Sequence, residues 1–155
     1  MRILKLTTAV FLLFLTSLAS GKEDKRFAVL PLSEAHRVSR LCSRSGVPKI
    51  DGSWEPTKAD IDGLESRLPF ISKLVSTKGM VGVHIAHPAT YYRQYVGITL
   101  AERRLIYVNA FSDEKRPSDW REKLADYCDG GSDAWGVLYD PTTHEFLELA
   151  TNGIG

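Results

Sequence analysis

The sequence predicts an α+β domain in which about four antiparallel strands from the C-terminal half pack against two or three helices. Three observations carry that reading. Apolar residues recur at helical spacing before Val75, β-branched and aromatic runs dominate after Tyr91, and the chain's two cysteines, Cys42 and Cys128, fall one in each half. A length of 155 residues bounds the count at one domain, and 43% hydrophobic residues are enough for a core.

Residues 1–21 read as an export signal. Arg2 and Lys5 provide the positive start, an apolar run extends from Leu6 through Leu18, and Ser17, Ala19 and Gly21 are small enough for a cleavage site. The run is shorter than the roughly 20 apolar residues of a spanning helix, so no membrane anchor is expected after cleavage. Residues 22–155 then form one compact α+β domain, exported to the periplasm or secreted.

The first helix is expected over residues 33–41, with Ser33 as cap and Ala35, Val38 and Leu41 on one stripe. Gly46, Pro48, Gly52 and Pro56 mark a loop, in which Trp54 should lie over the core edge. A second helix over residues 59–68, opened by Thr57 or Ser53, buries Ile61, Leu64 and Leu68 and exposes Asp60, Asp62, Glu65 and Arg67. Pro69 should break it, since proline lacks the N–H and disfavours helix in the residue before it. A further helical piece can resume over 70–75. Residues 79–87 are apolar enough for a short strand, although Gly79, Gly82 and Pro88 weaken the pattern.

Residues 91–100 and 104–111 read as an antiparallel hairpin, the latter apolar enough on both faces for a central strand. Residues 119–127 suggest a short helix, capped by Ser118, with Trp120, Leu124 and Tyr127 at i, i+4 and i+7. Residues 134–140 and 145–151 form a second hairpin around Pro141, Thr142 and Thr143. Helices early and strands late imply helices on one face of the sheet, leaving the other face open for solvent or a ligand.

In an oxidising compartment two cysteines more than eighty residues apart are best read as a disulfide. The alternative makes Cys128 or Cys42 a nucleophile activated by His84, His87 or His144. On a strand His84 and His87 point to opposite faces, so no metal site is expected. The Asp129-Gly130-Gly131-Ser132-Asp133 turn lacks the calcium-loop spacing, and Ser132 lacks the strand-to-helix context of a nucleophile elbow. No phosphate loop is present, so no cofactor is expected. Removing Arg2 and Lys5 takes the formal charge from +1 to about −1, without the clustered positive charge of a nucleic-acid surface.

The expected recognition surface lies on the first hairpin. Tyr91, Arg93 and Tyr95 share one face of their strand, and Tyr107 and Asn109 share one face of the next. Arg93, Tyr95, Tyr107 and Asn109 are therefore the expected ligand-binding residues, for a protein or small polar ligand.

Leu41-Cys42-Ser43-Arg44, Gly52-Ser53-Trp54-Glu55-Pro56, Tyr92-Arg93-Gln94-Tyr95-Val96-Gly97-Ile98, Ile106-Tyr107-Val108-Asn109-Ala110-Phe111, Cys128-Asp129-Gly130-Gly131 and Trp135-Gly136-Val137 look like segments of a group of small exported bacterial proteins with no assigned activity. The resemblance implies an exported bacterial domain and transfers no catalytic residue. Two function classes follow: a non-enzymatic binding module using the open sheet face, or a small hydrolase or thiol enzyme using Cys128 with His84, His87 or His144.

Overall fold

The computed structural model describes residues 25–42 and 49–153. The expected export signal, and Gly46 and Pro48 of the expected loop, lie outside the described residues. The fold is α+β: a mixed six-stranded sheet with two helices. Four antiparallel strands form its body, namely β3 (Tyr92–Leu100), β4 (Arg103–Phe111), β5 (Ala134–Asp140) and β6 (Glu145–Thr151). These are the predicted strands, to within a residue at each end. Two short strands join the free side of β3: β1 (Phe27–Val29) runs parallel to it, and β2 (Gly52–Ser53) antiparallel.

The first predicted helix is shorter than its periodicity suggested, reduced to a 3-10 turn at Leu32–Glu34 and α1 (Ala35–Val38). α2 (Lys58–Arg67) is the longest helix among the described residues, and Thr57 caps it. The Thr57 side chain accepts from the Asp60 N–H at 3.3 Å, and the Asp60 carboxylate accepts from the Thr57 N–H at 2.8 Å, a reciprocal capping box. Pro69 ends the α-helix as expected, and the chain continues as 3-10 helix over Leu68–Lys73.

Both faces of the sheet are covered. One carries α2 and the 3-10 segment, whose Ile61, Leu64, Leu68 and Ile71 pack with Tyr95, Ile106, Val108, Trp135, Val137 and Tyr139. The opposite face is layered by α1 and residues 112–128, where Leu30, Val38, Leu41 and Leu124 pack with Val96, Ile98, Leu105, Tyr107 and Leu138. All seven residues of β5 are buried, as befits a strand covered on both sides. Gly97 makes one close crossing possible: a Cβ there would lie 2.0 Å from the Trp54 carbonyl oxygen. Trp54 is buried, as expected, and its Nε1 donates to Ile98 O and Leu105 O, both at 3.1 Å.

Two local expectations fail. Residues 119–127 are irregular rather than helical, and residues 79–87 form no strand beyond the single bridge of the preceding Lys78 to Ala150. The first failure has a specific cause. Gln94, fully buried on β3, takes the backbone groups a helix would have used: its Oε1 accepts from the Ala125 N–H (2.9 Å), and its Nε2 donates to Lys123 O (2.6 Å) and to Trp120 O. Asn109 adds bonds to Gln94 Oε1 (2.8 Å) and Ala125 O (2.9 Å), and Glu34 accepts from the Leu124 N–H at 2.7 Å. Side chains from the sheet and from the 3-10 turn ahead of α1 thus replace the helical ladder.

Cys42 and Cys128 are joined by a disulfide with Cα atoms 4.8 Å apart. It ties the end of the α1 segment to the far end of the 112–128 layer, just ahead of the second hairpin, as predicted.

Candidate functional site

The four residues expected on an open face are buried and divided between the two faces. The β3–β4 register pairs Arg93 with Ala110 and Tyr95 with Val108, whereas Tyr107 pairs with Val96 and Asn109 with Gln94. Arg93 and Tyr95 therefore lie beneath α2, and Tyr107 and Asn109 lie beneath the 112–128 layer. Their exposures are 4%, 0%, 2% and 0%. The open-face expectation is corrected: a second covering layer occupies the surface.

Arg93 is a structural cation. Its Nε donates to the Tyr95 hydroxyl (3.0 Å), one terminal nitrogen to Ala89 O (2.9 Å) and Tyr91 O (2.6 Å), and the other to Glu65 of α2 (3.2 Å). Four of its five N–H groups are thereby engaged inside the fold. The Tyr95 hydroxyl also bonds Glu65. Burial, with a further push from Glu65 and against the pull of Arg93, holds the Tyr95 phenol well above the ordinary tyrosine range. The phenol stays protonated as a donor between strand and helix.

The histidines do not converge with a thiol. His84 and His87 are exposed on the connection before β3, His144 bonds Tyr139 in the β5–β6 turn, and both cysteines are consumed by the disulfide. The thiol-enzyme alternative therefore finds no free thiol. Among the described residues, no three His, Cys, Asp or Glu side chains gather as a metal site, and no helix is long and apolar enough to cross a membrane.

What the fold does leave open is a groove of about 480 Å³ between the 3-10 segment and the start of β6. Arg67, Phe70, Lys73 and Leu74 form one wall. His144, Glu145, Phe146 and Leu147 form the other. Pro69 creates the first wall, because the tighter winding after it turns Phe70 outward to 45% exposure, while Ile71 stays buried. Arg67 and Lys73 flank the Phe70 ring, with charge centres 5.0 and 4.7 Å from its centroid, a cation–π arrangement that holds positive charge at the rim.

The second wall is set by the β5–β6 turn. Asp140 accepts from the Thr142 and Thr143 N–H groups at 2.8 and 3.3 Å, and His144 adopts a left-handed φ of 58°. The Tyr139 hydroxyl lies 2.8 Å from His144 Nδ1. Burial raises the Tyr139 phenol, with Arg67 pulling the other way, so the phenol keeps its proton and can donate to a neutral imidazole. Gly63 of α2 makes room for the pair, since a Cβ there would sit 3.3 Å from the Tyr139 oxygen and 3.6 Å from the His144 ring.

Of the groove residues, His144 alone stood out in sequence, and there as a base for Cys128 or Cys42. The available signal was Pro69 followed by an aromatic between two cations, Arg67 and Lys73, and it reads equally well as a helix end. Compared with protein-family models, curated proteins and solved structures, the chain finds no match in any of the three.

Proposed function

We propose that this protein is a small exported, disulfide-held binding module of non-enzymatic type, and that it takes its ligand in the groove between the 3-10 segment Leu68–Lys73 and the start of β6. The observation that carries the reading is the groove itself: an apolar slot walled by Phe70, Leu74, Phe146 and Leu147, with Arg67, Lys73 and His144 at its rim and Glu145 the acidic residue among its walls. Ligand sites are typically apolar concavities of this size with a few oriented polar groups. The bonding of both cysteines is what an oxidising compartment would produce.

Two experiments test it. Protein recovered from an exported fraction should have lost residues 1–21 and should resist alkylation at Cys42 and Cys128 until reduced. In a fragment screen followed by backbone amide shifts, organic anions with an apolar body should map to residues 67–74 and 144–147. Intact leader with alkylatable cysteines refutes the export reading, and fragment hits that cluster elsewhere refute the groove.

A further inference from the structure

We infer that the groove takes an extended acidic peptide, added as a strand along the uncovered half of β6, with an apolar side chain seated against Phe70 and Phe146. The inference rests on the groove reading above and names its occupant.

The geometry of the sheet edge comes first. β6 is the last strand of the sheet order, so among the described residues its outer side faces no further strand. At its C-terminal end the chain itself supplies a partner: Lys78 makes a parallel bridge to Ala150, the Thr77 N–H donates to Leu149 O at 3.0 Å, and the Thr151 N–H donates to Lys78 O at 3.2 Å. This edge therefore already accepts strand addition. The pairing stops at Glu148, where β6 carries one extra residue against β5 and φ turns to 54°. Upstream, among the described residues, no backbone hydrogen bond reaches the outer side of residues 145–147 from a neighbouring segment.

The open stretch is three residues, or roughly 10 Å of strand, and it runs along the groove wall. It is bracketed by His144 and Glu148, two of the four described non-glycine residues with positive φ. Such backbone outliers persist where surrounding structure over-determines them, and they concentrate at ligand clamps. An added strand obtains affinity from main-chain hydrogen bonds and selectivity from alternate side-chain pockets. Here the pocket is apolar, and its rim carries two cations, Arg67 and Lys73, against the one carboxylate of Glu145. Charge complementarity thus selects carboxylates flanking an aliphatic residue.

The test uses the full mature protein, four probes and amide chemical shifts. The probes are a blocked hexapeptide alternating aspartate and valine, the same peptide N-methylated on alternate residues, a lysine–valine counterpart, and decanoate. The aspartate–valine peptide should shift Glu145, Phe146 and Leu147, and N-methylation should weaken it at least tenfold. Arg67→Glu, at the half-buried rim, should also weaken it about tenfold. Equal binding of the N-methylated peptide, or decanoate binding without peptide binding, overturns strand addition and leaves the groove standing. Equal binding of the lysine–valine peptide overturns the acidic preference. No groove shift with any probe at millimolar concentration overturns both this inference and the groove reading.

Discussion

Replacing Gln94 by methionine isolates the device that holds the 112–128 layer. Methionine keeps the length and most of the volume of the side chain while deleting four hydrogen bonds, to Asn109, Ala125, Trp120 and Lys123. Lys123 is exposed and its carbonyl can recover water, and the Asn109 amide keeps Ala125 O. The Ala125 N–H and Trp120 O, on residues 7% and 5% exposed, are stranded. Each stranded group costs about 1–3 kcal/mol, so the variant should lose about 4 kcal/mol, a large share of the roughly 5–15 kcal/mol of an ordinary domain. Urea unfolding measures the total, and hydrogen exchange at Ala125 places the loss in this layer. Because Gln94 and Asn109 share a partner, Asn109→Leu added to Gln94→Met should cost less than the two separate losses together. A loss below 1 kcal/mol with unchanged Ala125 exchange would show that these bonds do not hold the layer.

Further outcomes follow from the bridge, the β6 bulge and the turn. Cys42→Ser and Cys128→Ser should each destabilise by about 4.6 kcal/mol, the chain-entropy value for a separation of 86 residues, with the double variant no worse; additive losses in denaturant titrations would contradict a shared bond. Glu148→Gly should stabilise by about 0.5–1 kcal/mol by relieving its left-handed backbone, because its 3.9 Å contact with Lys78 is exposed and contributes little; a lower urea midpoint would argue against strain at the bulge. At Asp140 burial alone would raise the carboxyl, but the bonds from Arg103, Thr142 and Thr143 outweigh it and hold it below the usual range. A depressed folded pKa gives stability that is complete above the unfolded value near 3.9 and is lost as pH falls through the folded one. Asp140→Asn should therefore flatten the stability profile below about pH 4, and an unchanged acid slope would refute the assignment.

The elements that were legible in the sequence are those whose signal is local. The four long strands follow from β-branched and aromatic runs punctuated by turns, and α2 follows from its stripe of Ile61, Leu64 and Leu68 with Thr57 ahead of it. The disulfide follows from having two cysteines. What escaped depends on distant partners. Residues 119–127 carry helical spacing, yet Gln94 and Asn109, far away in sequence, bind their backbone instead. β1 is three residues long and becomes a strand because β3 offers a free side. The open face was a wrong inference from data already visible: Ile106-Tyr107-Val108 and Val137-Leu138-Tyr139 are apolar without alternation, which is the pattern of strands covered twice. That pattern places Arg93 and Asn109 inside and leaves the sheet edge as the accessible part of the sheet. The groove was illegible because it arises where a 3-10 turn meets a β-hairpin, and neither carries a motif.

The layer closed by Cys42 and Cys128 also bears on how the chain matures. Its two parts are far apart in sequence, and between them lie β3 and β4, two of the strands they cover. The cysteines are brought to a Cα spacing of 4.8 Å by α1 packing on β3 and by Gln94 and Asn109 docking residues 120–125, so oxidation is positioned to follow assembly rather than direct it. With two cysteines in the chain there is a single intramolecular pairing and no scrambled isomer to resolve. The remaining hazard is bimolecular: a chain whose second layer is undocked presents an apolar sheet face and two thiols to its neighbours. Crowded, slowly folding chains would then be caught as linked dimers, and the closed bond marks a molecule that finished folding alone.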